Sequence, residues 1–452
     1  MSTIFRAIKK NVSKKNILYL SLFFLASIWF RGGLNSVFVD TDFGRDLSEL
    51  SKLWIGQKVI WLGPTLSPGF HASPLYYYLF FPALLLGKGS AYSLLIANAV
   101  LALIILGVLG NKRGTLLALI FIGLSPFYRS LVLHPGNGFT YALWLILALI
   151  SLWFEFPLFI SSVCLGISLS FHPAAIFVLP ILLYEWIRRR HELKQMGGIV
   201  LGLMAPWAPI ILFEIITKGF LFRQWMAHPN VGMKMAPSLV NIQSLLTSNT
   251  VLLILFFIFY FFLIFIGKGR ERWWLVISSL GFFFFAFVSR VPSHYLLGFT
   301  GLLYFIVSMI LVQRNWGRIL LGIMSIIFLI GICIAPLPSS SPRSIATLQS
   351  IVEVVTRDKA IQKTDKIAVV AALDLENKVP QADDYRFLLR VKGYTVLDVV
   401  NYAQANKMIM FVENPKFDWK QWSTWETEQI GSKRIIQELD IQSVRVIIFE
   451  KN

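Results

Sequence analysis

The sequence predicts a multi-pass α-helical membrane protein carrying a small C-terminal α/β domain. Three observations lead there. The 452 residues are 56% hydrophobic and only 15% charged, where a soluble domain carries about 25% charged residues. Apolar runs such as NTVLLILFFIFYFFLIFI (249–266) approach the roughly 20 residues that cross a bilayer. The net charge of +18 is unevenly placed: residues 1–338 hold 26 Lys and Arg against nine Asp and Glu, whereas 339–452 hold 16 against 15. The basic excess therefore belongs to the apolar part, where basic loops fix orientation. It does not mark a nucleic-acid partner, and the C-terminal part has no RNP-like motif, helix-turn-helix signature or basic stripe interleaved with aromatics.

The apolar segments can be threaded in order. Residues 1–16 carry five Lys and Arg and are expected in the cytoplasm, with 17–34 crossing outward. No small-x-small cleavage site precedes Arg31, so this segment reads as a signal anchor rather than a cleaved signal peptide. A long outer loop, 35–90, ends in PLYYYLFFPALLLG, which is too short to span comfortably and is read as lying at the outer interface. Spans are expected at 91–110, 114–132, 138–154, 157–171, 173–187, 198–217, 249–266, 273–289, 294–312 and 318–335. With the first, that makes eleven. The inner loops then hold 16 Lys and Arg against ten outside, although the outer loops are far longer. The expected location is the plasma (inner) membrane, with the N-terminus in the cytoplasm.

The Pro/Ser-rich hinge APLPSSSPRS (335–344) separates a membrane domain, 1–338, from a soluble domain, 339–452. An odd number of crossings places the latter outside the cytoplasm. IVEVVTRDKAI and YRFLLRVKGY read as helices, and KIAVVAAL, KMIMFVE and VRVIIFE as strands. No glycine-rich phosphate loop or catalytic triad motif occurs there, so an accessory role in packing or acceptor recognition is expected. Cys164 and Cys333 both lie in apolar segments, which indicates neither a disulfide framework nor a zinc site.

FVDTDFGRDLSEL (38–50) is the chemical anomaly of the chain. Asp40, Asp42, Asp46 and Glu49 fall within ten residues and make up four of the nine acids before the hinge. The stretch reads as a surface helix after Phe43, with Leu47, Leu50, Leu53 and Trp54 forming one apolar face. Asp42 and Asp46 are four residues apart, and Arg45 sits where it can pair with either. Two readings stand side by side. In one, Asp42 caps the helix and the remaining charges are a solvated face. In the other, a carboxylate takes the proton from an incoming hydroxyl while Arg45 holds a phosphate through its planar fork.

Other polar outliers gather on the same predicted side. His71, His134, His172, His228 and His294 all fall at outer ends, and only His191 lies in an inner loop. Three of them precede proline and could simply mark helix ends. Asn137 follows His134 in the loop LHPGNG. Arg290 meets His294 and Tyr295 around SRVPSHYLLG, either snorkelling to water or paired with an anion. Tyr76 belongs to a Tyr76–Tyr77–Tyr78 run that can border a lipid groove or serve as interfacial anchors. No compact metal-ligand spacing such as H-E-x-x-H is present.

At these residues the sequence resembles a known family. TDFGRDLSELSKLWIGQKVIWLGPTLSPGFHASPLYYYL is similar to the first outer loop of bacterial GT-C-class glycosyltransferases, which include protein O-mannosyltransferase relatives and the aminoarabinose transferases that modify lipid A. LHPGNGFTYALWLI, SLSFHPAAIFVLPILLYEW and SHYLLGFTGLLYFIV resemble later landmarks, so the likeness covers roughly residues 17–312. It implies a GT-C-like fold and transfer of a sugar from a polyprenyl-phosphate donor to a lipid, glycan or protein acceptor on the outer face. Asp42 matches the family's catalytic aspartate, and Arg45 a basic residue near the donor phosphate. Asp46 is the alternate or orienting carboxylate, because this chain has Asp42–Phe43 where well-characterised members have Asp-Glu. Arg45, His71, Tyr76, His134, Asn137, His172, Arg290, His294 and Tyr295 are the expected substrate-binding residues. No cofactor is indicated, and a divalent metal stays open.

A lipid or polyprenyl-linked sugar transporter is the main competing class. Transporters carry charged groups near the bilayer midplane on broken helices of repeated halves. Here Glu185 and Glu214 fall near predicted span ends, and no internal repeat is visible. An anchor that merely displays the outer domain would not require eleven spans.

Overall fold

Proline decides where the apolar helices of this chain stop. In the computed structural model, which describes all residues except 1–12, 35–36, 57–58, 66–70, 190–192, 228–249, 289–296, 336–342, 374–381 and 415, the segment expected as one span at 114–132 is a bent pair. Helices Leu116–Leu124 and Pro126–Leu133 meet at 66°. Ser125 caps the second, its hydroxyl accepting from the Tyr128 amide at 3.1 Å, and Pro126 occupies the first helical position, where no amide hydrogen is needed. His172–Pro173 likewise ends helix Leu158–Phe171 and begins a 3-10 turn, Pro173–Val178, before Leu179–Arg188. A third break, the 3-10 turn Ala205–Trp207 with Pro206, joins Leu193–Met204 to Ala208–Ile216.

Three described helices are long and apolar enough to cross a membrane: Ala91–Gly110, Gln195–Ile216 and Asn315–Ile334, with the bent pair as a fourth. Other expected spans are shorter. Asn137–Trp153 has 17 residues, Leu158–Phe171 14 and Leu297–Val312 16. At 1.5 Å per residue a 14-residue helix covers about 21 Å, less than the ~30 Å hydrocarbon core. The first expected span is helix Lys14–Trp29, and PLYYYLFFPALLLG contains helix Leu75–Leu86 with Pro82 inside it.

The chain divides into two units. The first comprises Met1–Arg31, Trp61–Leu79 and Leu95–Pro336. Its outer faces are apolar, with Phe23, Ile104, Leu201, Ile215, Ile319 and Ile326 all exposed, as a lipid-facing surface would be. Small residues bring two of its helices together. Ser162, Gly166 and Ser170 line up at four-residue spacing on Leu158–Phe171, and Ser162 and Gly166 meet Gly202 on Leu193–Met204. Such stripes let backbones approach where apolar burial alone does not drive association. A Cβ on Gly166 would stand 2.7 Å from the carbonyl oxygens of Gly202 and Leu203.

The first unit also buries a charge. The fully buried Glu185 carboxylate accepts from Arg270 Nε (2.7 Å), Arg188 Nη2 (2.8 Å), Arg189 Nε (3.2 Å) and Trp274 Nε1 (2.9 Å). Arg270 and Arg189 reach on to the carbonyls of Trp153 and Leu152 at 2.9 and 2.7 Å. These are the open carbonyls at the end of helix Asn137–Trp153. Glu214 has a comparable task, accepting from the Leu221 and Phe222 amides at 2.8 and 3.3 Å. Both glutamates are therefore occupied in holding helix ends.

The second unit comprises Gly32–Ile60, Phe80–Leu94 and Leu337–Asn452. Its sheet has strands β1 (Lys366–Ala372), β2 (Thr395–Val396), β3 (Lys407–Val412), β4 (Lys433–Ile441) and β5 (Val444–Lys451) in the order β2-β1-β3-β5-β4. β1 runs parallel to β2 and β3, with Ile367 opposite Lys407, and β5 runs antiparallel to β3. β1 is buried along almost its whole length, which accounts for its unbroken apolar sequence. β4 is an edge strand that alternates little and stays largely exposed; its sequence KRIIQELDI carries no strand signal, and it was not expected. Helices Ile345–Arg357 and Asp383–Val391 overlap the expected IVEVVTRDKAI and YRFLLRVKGY, each starting earlier and ending three or four residues sooner.

The acidic stretch belongs to this second unit. Helix Thr41–Trp54 packs on Asp383–Val391, and a Cβ on Gly44 would meet Asp384 Cβ at 3.4 Å. Its buried face holds Gly44, Asp46, Ser48 and Ser51 beside Phe43, Leu47 and Leu50. Leu53 and Trp54 are only half-buried. The apolar face expected from periodicity is thus joined by a small polar one. The chain before the helix is pinned as well: the Val39 amide donates to the Arg343 carbonyl at 2.9 Å, and Phe38 bridges to Ser344.

The helix contact in the first unit is open to test. Gly166→Ala is expected to cost about 1–3 kcal/mol through forced backbone displacement. Gly198→Ala, where nothing lies within 4 Å, should be neutral or slightly stabilising. Thermal unfolding of both variants in detergent checks this, and equal melting temperatures would show that the close approach is not needed.

Candidate active site

The N-cap of helix Thr41–Trp54 is Asp40, whose carboxylate accepts from the Phe43 amide at 2.7 Å. Of the two readings of Asp42, the one that makes it the cap does not hold, and Asp42 lies inside the first turn with its side chain partly exposed. Arg45 reaches both neighbouring acids. Its Nη1 donates to Asp42 at 2.8 Å, and Nε and Nη2 donate to Asp46 at 3.2 and 3.1 Å. The two acids differ in access: the Asp42 side chain is 42% exposed, Arg45 26% and Asp46 0%. One guanidinium between two carboxylates leaves the group with a net negative charge.

Asp42 and Arg45 line a cleft of about 160 Å³ together with Thr41, Gly44, Arg343, Asp383 and Asp384. Its far wall comes from the hinge and from helix Asp383–Val391, both in the same unit as the acidic stretch. Arg343 is its centre. The buried guanidinium pairs with Asp384 and with Glu413, and its Nε points to the Val39 carbonyl at 3.4 Å. Tyr385 adds a hydrogen bond to Glu413 at 2.9 Å and stacks on Phe411 with ring centroids 3.7 Å apart. Burial works against the Arg343 charge, but Asp384 and Glu413 outweigh it and hold the group protonated. Burial pushes the Asp384 carboxyl up to about 6 against the pull of Arg343, with Glu413 and Asp383 adding to the rise. Sequence reasoning missed Arg343, Asp383, Asp384 and Glu413. The available signal was the doubled Asp in QADDYRFLLR, where acids and arginines at three-residue spacing share a nine-residue helix too apolar to be solvated all round.

The other expected residues lie in the first unit and are held by its backbone. His71 Nδ1 is 3.1 Å from the Gly63 carbonyl. The Tyr76 hydroxyl donates to the Pro135 carbonyl, and its ring meets Phe171 edge-on at 5.3 Å. His134 Nδ1 lies 2.8 Å from the Ser130 carbonyl, with the ring stacked on Phe139. Asn137 Nδ2 donates to the Phe171 carbonyl at 3.1 Å. His172 is buried, stacks on Tyr141 and accepts from the Ala174 amide at 3.2 Å, capping the 3-10 turn that Pro173 opens. Tyr76, His134, Asn137 and His172 thus knit together the ends of the broken helices around Pro135 and Pro173. Arg290, His294, Tyr295 and His228 fall outside the described residues. Among the described residues no group of three or more His, Cys, Asp and Glu is placed to hold a metal ion.

A bundle of bent and broken apolar helices with a small C-terminal mixed sheet is an ArnT-like fold. Two crystal structures of ArnT from Cupriavidus metallidurans share it. The one bound to undecaprenyl phosphate superposes with a TM-score of 0.61 at 11% identity, covering 96% of this chain and 98% of that one. The apo state gives 0.56 at 10% identity over the same shares. No family model matches the chain, and no curated protein matches its sequence.

The raised Asp384 carboxyl has a pH signature. Its folded value of about 6 lies above the ordinary 3.8, so its contribution to stability is complete below pH 3.8 and is lost as pH rises through 6. The displacement corresponds to about 3 kcal/mol. Relative to the native chain, Asp384→Asn should therefore gain stability between pH 4 and 7, read as the difference in melting temperature at each pH. A difference that stays constant across that range would place the carboxyl at its ordinary value.

Proposed function

We propose that the protein is a GT-C-class membrane glycosyltransferase that moves a sugar from a polyprenyl-phosphate donor to an acceptor hydroxyl. The observation that carries this reading is the ArnT-like fold extending over 96% of the chain, from the apolar helices to the C-terminal sheet. The paired Asp42, Arg45 and Asp46 supply chemistry suited to it. In this reading the chain has eleven spans, lies in the inner membrane with its N-terminus in the cytoplasm, and acts on the extracytoplasmic side. Residues 1–338 form the transferase domain, and 339–452 an extracytoplasmic domain.

The proposed step is a displacement at the anomeric carbon. Asp42 takes the proton of the acceptor hydroxyl, the acceptor oxygen bonds to the sugar, and the bond from the sugar to the phosphate oxygen breaks. Polyprenyl phosphate leaves with the electron pair. Asp42 suits the role of base because substrate can reach it, whereas the fully buried Asp46 suits an orienting role. Arg45 provides the link between the two halves of the reaction. A donor phosphate competing for its fork draws it away from Asp42 and frees that carboxylate to accept a proton. Arg290, His71 and His294 are the further candidates for phosphate or sugar contacts. Tyr76, His134, Asn137, His172 and Tyr295 complete the proposed substrate-binding set.

Purified protein in nanodiscs, given radiolabelled polyprenyl-phosphate sugars and membrane extract, tests the reading. Asp42→Asn should lower transfer by about 10²–10⁴-fold while leaving the melting temperature within a few degrees. Equal turnover by both proteins would remove Asp42 as the base. Lipid binding without donor consumption by the native chain would favour a lipid or polyprenyl-linked sugar transporter instead.

A further inference from the structure

Beside the cleft that holds Asp42 and Arg45 lies a larger one of about 340 Å³, and the two share Asp383. In the larger, Glu49, Asp383 and Asp398 pair with Lys52, Arg386 and Arg390. A further cleft in the same unit has a different make-up. It measures about 180 Å³ and lies where strand β3 ends against the β4–β5 hairpin. One part of its lining is the pair of rings Phe417 and Trp419, which follow β3 in the chain. The other is the hairpin tip, with Asp440, Gln442, Ser443 and Arg445. The volume is below that of a drug-sized ligand site, which restricts the cleft to a single ring or a short group.

The two rings are held in place without being enclosed. Both are half-buried and pack, with Trp422, against a core cluster that includes Met408, Met410 and Phe449. Phe417 meets Trp422 edge-on at 5.3 Å, and Trp419 meets Phe449 in the same way at 6.1 Å. Lys420 Nζ stands 5.8 Å from the centre of the Trp419 ring, near the limit of a cation–π contact. Backbone turns fix the segment: the Phe417 amide donates to the Asn414 carbonyl at 3.0 Å, and the Trp422 amide to the Trp419 carbonyl at 3.2 Å. The hairpin side is polar and exposed. Its two charges pair with each other, Arg445 Nε donating to Asp440 at 3.0 Å. Gln442 stands at the turn with φ +56° and reaches Ser350 Oγ at 3.4 Å. An aromatic face is electron-rich and attracts weakly positive C–H groups. The amide, hydroxyl and ion pair of the tip offer donors and acceptors together. A ligand that suits both is uncharged, apolar on one face and edged with hydroxyls, and a sugar ring has that make-up.

We propose that this cleft binds a neutral sugar ring of a glycan, stacked on Phe417 and Trp419 with its hydroxyls toward the hairpin tip. It is a binding site and not a second active site, so it stands whether or not the transferase reading above does. Consecutive residues at the end of β3 serve this cleft and the candidate active site. Val412 lines the aromatic cleft, and Glu413 pairs with Arg343, which lines the cleft of Asp42 and Arg45.

Saturation-transfer NMR on the full chain in nanodiscs reads the binding directly, with methyl glucoside and methyl galactoside as probes and empty nanodiscs as the blank. At least one glycoside should bind, with the strongest saturation on its ring C–H protons. Added salt should leave the signal unchanged, because a neutral ligand engages no net charge. Ser443→Trp fills the cleft from an exposed position, removes neither ring nor charge, and should abolish the signal with an unchanged melting temperature. Gln442→Gly removes the amide at a backbone angle that glycine adopts freely, and should weaken binding severalfold. No signal above the blank for either glycoside, an unchanged signal in either variant, or a signal lost on adding salt would overturn the site.

Discussion

The Arg343 guanidinium is the constraint on which the second unit depends. It lies out of water between Asp384 and Glu413. Removing one partner of a buried ion group typically costs about 3–5 kcal/mol, because the remaining charges are stranded. Arg343 also sits one residue before Ser344, whose hydroxyl caps helix Ile345–Arg357, and its own carbonyl receives the Val39 amide. One residue thus joins the approach to the surface helix, the start of the C-terminal fold and the helix carrying Asp383 and Asp384. The positions of the two clefts that share Asp383 follow from that junction.

In the first unit, arginines and small polar side chains solve a different problem. Every break in an apolar helix frees backbone groups that lipid cannot satisfy. Ser125, His172, Asn137 and Tyr76 bond to backbone at or near the breaks at Pro126, Pro135 and Pro173. Arg189 and Arg270 do the same for the end of Asn137–Trp153. The histidines that the sequence gathers at helix ends are there partly for this reason. Proline breaks the helix, and the adjacent polar side chain replaces the lost bond. The position of such a residue beside proline is accounted for by this capping alone.

The two clefts that share Asp383 divide the polar chemistry of the second unit. The smaller has the more exposed Arg45 and Asp42, a cation and a carboxylate within one hydrogen bond. The larger is lined by three carboxylates, Glu49, Asp383 and Asp398, and by three cations, Lys52, Arg386 and Arg390. A single short helix, Thr41–Trp54, contributes to both. Seven residues, two turns, carry the helix from Asp42 and Arg45 to Glu49 and Lys52, so the dense charge of the acidic stretch is shared between the two clefts.

Much of this protein was legible in its sequence. Apolar runs, the basic bias and the composition change at the hinge follow from local residue content, so they identified the helical part, the C-terminal α/β domain and the unusual acidic helix. The pairing of Arg45 with Asp42 also followed, because helix geometry makes residues three apart neighbours, and Asp46 is simply the next residue in the chain. Spacing could not reveal what meets that helix. Arg343, Asp384 and Glu413 lie some 300 to 370 positions away, beyond the reach of any local pattern. Nor could it separate Asp42 from Asp46, since both are aspartates on one turn. Burial separates them, leaving Asp46 fully enclosed and Asp42 partly open, and burial is a property of the neighbours, not of the residue.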